Sequence, residues 1–146
     1  MDELMELREY IEQGRYADAL VLIGEMEEMS RDDKINKFGS FVRILLIHLI
    51  KQHAEARSSR SWDLSIRNAM HEIAKSNKQR GAGSFYLSPE ELREIIEEEY
   101  QISLENASYE AFGGAFETAA LALKVDEVVI QEEAFGRILE AQERLV

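Results

Sequence analysis

The chain has no cysteine among its 146 residues. That excludes a disulfide framework, a thiolate metal site and a cysteine nucleophile. Proline occurs once, which suits a chain made mostly of helix, because proline breaks helix interiors. Aromatic residues make up 8%, with one tryptophan, Trp62, and the chain has three histidines. Long hydrophobic runs are also missing. The longest apolar stretch, Phe41 to Ile50, contains Arg43 and His48 and is too short to span a bilayer. Residues 1–12 are acidic and amphipathic, whereas a secretory signal needs a basic start and an apolar run. The expectation is therefore a cytoplasmic protein with no membrane association.

What the chain does contain is sufficient for a core. At this length, area scaling allows roughly 69% of the extended surface to be buried. Apolar residues at 45% and charged residues at 32% exclude general disorder. The net charge of −12 is unevenly spread, at −7 over residues 1–30, +6 over residues 31–80 and −11 over residues 81–146. Basic middle helices packed beside acidic outer ones account for this. A basic patch for nucleic acid is the competing reading, which the acidic total disfavours.

Helical spacing runs through most of the chain. A first helix is expected over residues 3–13, capped by Asp2 and ended by Gly14, with Leu4, Leu7 and Ile11 on one stripe. A second should run over 16–29 and form a hairpin with the first. Ser30, with Asp33 three residues on, is read as the cap of a third helix reaching about Ala56. Ile35, Phe38, Val42, Leu45 and Leu49 step along that helix, and it is apolar nearly all round between Phe41 and Ile50, as a central helix would be. Gly39 inside it costs about 1 kcal/mol in propensity, which suggests a neighbour passing close. Residues 57–61 are a polar break before a fourth helix over 62–79, and Gly81 to Ser84 form a loop. Ser88-Pro89-Glu90-Glu91 carries a serine cap, proline at the first helical position and glutamate at the third. The helix it starts should reach about Ala111, with Gly113-Gly114 as its break. Residues 115–124 could form a short helix, Val128 to Ile130 a strand or a helix start, and 131–145 a closing helix. The expected fold is an all-α compact bundle of five to seven helices around a long apolar one, in a single domain over 1–146.

Residues 20–67 resemble the bacterial family known as domain of unknown function 29, which is abundant in cyanobacteria. The resemblance is carried by Leu22, Ile23, Glu25, Met26 and Glu27, then Leu45, Leu46, His48, Leu49 and Lys51, and then Arg60-Ser61-Trp62 with Ile66 and Arg67. The acidic stretch from Leu92 to Tyr109 is similar to the family's next helix, so the similar part covers about 20–111. Two departures stand out. Gln52-His53 stands where the family often has a tryptophan after the lysine, and the tail over 112–146 is read as outside the pattern. The resemblance implies an all-helical fold. The family has no established activity, so it implies no function.

Few residues suggest chemistry. His48, among leucines, is most simply a core histidine with one hydrogen-bond partner; as a base it would need a carboxylate such as Glu25 or Glu27. The residues three before His48, His53 and His71 are Leu45, Ile50 and Asn68, so the Glu-x-x-His pair of a di-iron site is absent. His71-Glu72 is not a zinc-protease motif, because residue 75 is lysine. No metal and no cofactor is expected. Arg57, Arg60, Ser61 and Arg67 are candidate anion-binding residues at a helix start. The simpler reading is that Ser59 or Ser61 caps the helix and Arg60 pairs with an acidic neighbour. Trp62 is then structural, packed near Leu46 or Leu49, and Trp62→Ala would cost about 3–5 kcal/mol. No phosphate loop, nucleophile elbow or dinucleotide fingerprint is present. The expected function is non-enzymatic and works through protein contacts, with a second copy or another protein. The alternatives are an antitoxin-like or regulatory partner of a basic protein, and an RNA- or nucleotide-binding module using Arg43, Arg57, Arg60 and Arg67.

Overall fold

The computed structural model describes residues 2–78 and 85–145. The expected Gly81 to Ser84 loop lies outside the described residues. The elements are α1 (Glu3–Glu12), α2 (Tyr16–Glu55), α3 (Arg60–Asn77), α4 (Pro89–Ser108), a 3-10 turn (Ala111–Gly114), α5 (Thr118–Ala122) and α6 (Glu127–Arg144). The fold is all-α. Extended pairing among the described residues is confined to an isolated bridge between Lys78 and Phe85.

The starts of the helices follow side-chain chemistry. Asp2 accepts from the Leu4 N–H at α1, Ser59 from Trp62 at α3 and Asp126 from Val129 at α6. Ser88 and Glu91 form the complete reciprocal box at α4, with Pro89 at its first position, so two orphan amides are satisfied there at once. Gly14 ends the first turn region with φ of +72°, a conformation that favours glycine.

The expected boundary at Ser30 is absent, because Tyr16–Glu55 is one helix. A capping serine offers a place to start a helix but does not interrupt one that already propagates. No glycine or proline lies between Glu25 and Gly39. Exposed serine and aspartate cost only some tenths of a kcal/mol in a helix interior, and Glu27 to Arg31 has the favourable i,i+4 spacing. Two further boundaries move. The helix after Pro89 ends at Ser108, short of Ala111, and the Val128 to Ile130 segment is helical.

The chain divides into two compact units, Met1–Asn36 and Lys37–Val146. In the first, the Arg15 guanidinium lies 4.5 Å from the centre of the Tyr10 ring and pairs with Asp18 at 2.9 Å, fixing the turn between α1 and α2. Ala19 and Leu22 are its buried apolar residues, and α1 buries none.

The second unit holds the core. Phe38, Val42, Leu45, Leu46, Leu49 and Ile50 of α2 are fully buried, as are Ile73 of α3, Leu92 of α4 and Ile130 and Ile138 of α6. Their three- and four-residue spacing is that of one helix face meeting neighbours. α3 and α4 both pack against α6. Gly39 fulfils its expectation, since a Cβ there would sit 2.9 Å from Glu99 Oε1. That same carboxylate takes the Arg43 Nε–H at 2.9 Å, so the missing side chain lets α4 deliver Glu99 to α2.

Candidate functional site

Lys51 is the starting point, because it is 4% exposed and a buried ammonium must be paired. Its Nζ donates to Glu110 Oε1 at 3.1 Å and lies 4.6 Å from the centre of the Trp62 ring. The Arg57 guanidinium lies 4.4 Å from the same ring centre. The half-buried indole thus receives two cations, the arrangement its electron-rich faces favour. Arg57 Nε also donates to Glu55 Oε1 at 3.0 Å. Glu55 Oε2 accepts the Phe112 backbone N–H at 3.1 Å. Burial pushes the Glu55 carboxyl up, but the Phe112 N–H and the Arg57 and Lys51 charges outweigh it and hold its pKa below the ordinary value. Ala56 and Phe112 both have positive φ, at 53° and 52°, so the cluster holds two strained turns together.

His48 lies one turn before Lys51. Its Nδ1 is buried and finds no hydrogen-bond partner among the described residues. Burial first, and the Lys51 ammonium second, lower its pKa below 6.5 against the opposing effect of Glu110. The groups that influence it are thus Lys51 and Glu110. Glu25 and Glu27, which belong to the same helix in sequence, are not among them. The sign of the pH effect follows from the lowered pKa. As pH falls, the unfolded chain takes up the proton first, so the His48 contribution is complete above about 6.5 and is lost as pH falls below that value. We expect the wild-type chain to lose more stability between about pH 7 and pH 5 than His48→Leu does. Thermal midpoints at the two pH values check this, and equal losses would contradict it.

Of the anion candidates, Arg57 is engaged by Glu55 and Trp62, and Arg43 by Glu99. Arg60, Ser61 and Arg67 are exposed on α3. The cap is Ser59, not Ser61. Sequence reasoning missed Lys51, Glu55 and Glu110, and also His53 with Glu133, whose Nε2 and Oε2 are 2.6 Å apart. Glu133 additionally accepts from Arg137 at 3.1 Å. Only the local spacings of Glu55 with Arg57 and of Glu133 with Arg137 were visible in the sequence; the other pairs join residues 57 to 80 positions apart. These pairs do not make a nucleophile with its base. Ser58 gives its proton to Asp63 at 2.6 Å. Among the described residues, no group of three or more His, Cys, Asp or Glu could hold a metal ion, and no helix is long and apolar enough to cross a membrane.

A second surface belongs to the first unit. Leu4, Leu7 and Ile11 line a groove of about 340 Å³ with Arg8 and Glu12 at its side. Leu20 and Tyr16 of α2 are 69% and 65% exposed, and Met5 and Val21 are also exposed. The class that emerges is a small all-α protein with an interlocked polar cluster in one unit and, in the other, an apolar groove and few buried side chains. The chain belongs to the family described as Domain of unknown function DUF29, whose model matches residues 4–132. That span corrects the expected limits of 20–111, since it takes in α1, the 3-10 turn, α5 and the start of α6. Comparison with curated proteins and with solved structures gives no match.

Proposed function

We propose that the chain acts by binding another protein, without catalysing a reaction, and that residues 2–36 are the docking element for a basic partner. The supporting observation is the exposure of large apolar side chains on α1 and the first turns of α2, with only Ala19 and Leu22 buried. Fewer than about 40 residues seldom stabilise themselves without a staple or a partner. Contiguous apolar surface rimmed by charge is the usual mark of a protein interface. Residues 1–36 hold eleven acidic and four basic residues. A second copy would therefore bring net −7 against net −7, whereas a basic protein is complementary. An antitoxin-like or regulatory protein that covers a basic partner fits this surface. The nucleotide reading has less support, because Arg43 and Arg57 already serve carboxylates.

The test compares the wild-type chain with a Leu4→Asp, Leu20→Asp double variant in affinity capture from the native cytoplasm. Both positions are exposed, so circular dichroism and thermal midpoint should stay close to wild type. We expect the wild type to retain a protein of net positive charge, in a salt-sensitive manner, and the variant to retain at least about tenfold less. Equal capture by the variant, or retention of nucleic acid or an acidic protein in place of a basic one, would overturn the proposal.

A further inference from the structure

Arginines from two helices meet at one place that sequence spacing does not reveal. Arg67 of α3 and Arg137 and Arg144 of α6 line a surface depression of about 360 Å³, together with Gln52, Ile66 and Met70. α3 and α6 are packed directly against each other, so the three guanidinium groups are held on a firm base. Their charges are unequally satisfied. Arg137 and Arg144 each pair with the glutamate one turn earlier, at 3.1 and 2.9 Å. The Arg144 pair is exposed and the Arg137 pair half-buried; an exposed pair within one helix is weak and exchanges readily. Arg67 makes no ion pair among the described residues. Asp63 is the one carboxylate in the lining, and it already accepts from Ser58 and Gln52 at 2.6 and 3.3 Å. The lining thus sets three guanidinium groups against one carboxylate, and Arg67 is the one left without an ion pair among the described residues.

We propose that this depression is a binding site for a small phosphate-bearing anion, with Arg67 as its anchor and Arg137 and Arg144 turning from their glutamates to complete it. Guanidinium forks match the oxygens of a phosphate in pairs, which a single lysine does not. Ile66, which is buried, and Met70, which is half-buried, give the depression an apolar side against which the organic part of a phosphate ester rests. The net charge of the chain disfavours a long polyanion, whose binding grows with the number of phosphates neutralised. A small anion close to three arginines is shielded from the distant carboxylates by ordinary salt.

The test is a titration of the full chain with inorganic phosphate, and separately with adenosine 5′-monophosphate, at constant ionic strength. The arginine Nε–H signals are followed by nuclear magnetic resonance. We expect saturable shifts of Arg67, Arg137 and Arg144. Arg60 is as exposed on the same helix and outside the depression, so its signal should stay in place. Arg67→Gln should weaken the affinity about tenfold, and the exposure of Arg67 leaves the fold intact. Tighter binding of the monophosphate identifies an ester as the ligand, and equal binding identifies free phosphate; both support the site. Shifts that do not saturate, shifts shared equally by Arg60, or an unchanged affinity in Arg67→Gln would each overturn it.

Discussion

Asn77→Ala is expected to destabilise the chain by about 2–4 kcal/mol, the cost of leaving buried polar groups without partners. Asn77 is fully buried at the end of α3. Its Nδ2 donates to Gln142 Oε1 at 2.6 Å, and its Oδ1 accepts the Leu87 N–H at 2.7 Å. Its backbone carbonyl accepts from Tyr86 at 2.7 Å. One side chain thereby joins the end of α3, the residues just before α4 and the last turn of α6. Removing the carboxamide leaves the Leu87 amide and the buried Gln142 unpaired, and neither can reach water without opening the helix ends. Asn77→Leu with Gln142→Leu should recover part of the loss, since replacing both partners by apolar groups removes the unsatisfied pair. The Leu87 amide would remain orphaned, so recovery should stay incomplete. Urea unfolding of the two variants beside the wild type measures this. A loss below about 0.5 kcal/mol for Asn77→Ala would show that the network contributes little.

Trp62→Ala is expected to cost about 2–3 kcal/mol, below the range for a fully buried aromatic. The indole is half-buried, and its rings meet the Lys51 and Arg57 cations rather than closing over a purely apolar pocket. The loss therefore combines partial apolar burial with the cation contacts. Lys51 suffers most, because it is 4% exposed and would lose the ring face while keeping its ion pair with Glu110. Trp62→Phe, which retains a ring face, should cost about 1 kcal/mol. Fluorescence gives an independent check, with quenching by acrylamide expected between that of a free and a fully enclosed indole. Chemical unfolding that shows Trp62→Ala within about 0.5 kcal/mol of wild type would contradict this account of the cluster.

Local chemistry was legible in the sequence where it is closed within a few residues. The box of Ser88 and Glu91 with Pro89, the Asp2 cap and the close approach at Gly39 all follow from residues within one turn or from the cost of a missing side chain. Ser30 looked similar and proved to be a helix interior, because a cap acts only where propagation already fails. Val128 to Ile130 illustrates a different limit. A short run of β-branched residues suits a strand as well as a helix, and the Asp126 cap and packing of Ile130 in the core decide for helix. The candidate sites were less legible. Arg57 and Arg67 were visible as cations, but the stacking of Arg57 on Trp62 and the grouping of Arg67 with Arg137 and Arg144 depend on how the chain packs. Lys51 and Glu110 are 59 positions apart, and no spacing rule connects them.

The central claim is that residues 2–36 bind a basic protein, and site-specific photo-crosslinking in living cells tests it most directly. A benzophenone side chain is placed at Leu20, and in a separate variant at Ile102. Both positions are exposed apolar residues, one on α2 and one on α4. The account predicts that Leu20 yields one main adduct, that mass spectrometry identifies it as a protein of net positive charge, and that Ile102 yields little of it. Adducts from Leu20 to a second copy of the chain alone, or the same basic protein captured from Ile102 and not from Leu20, would contradict it.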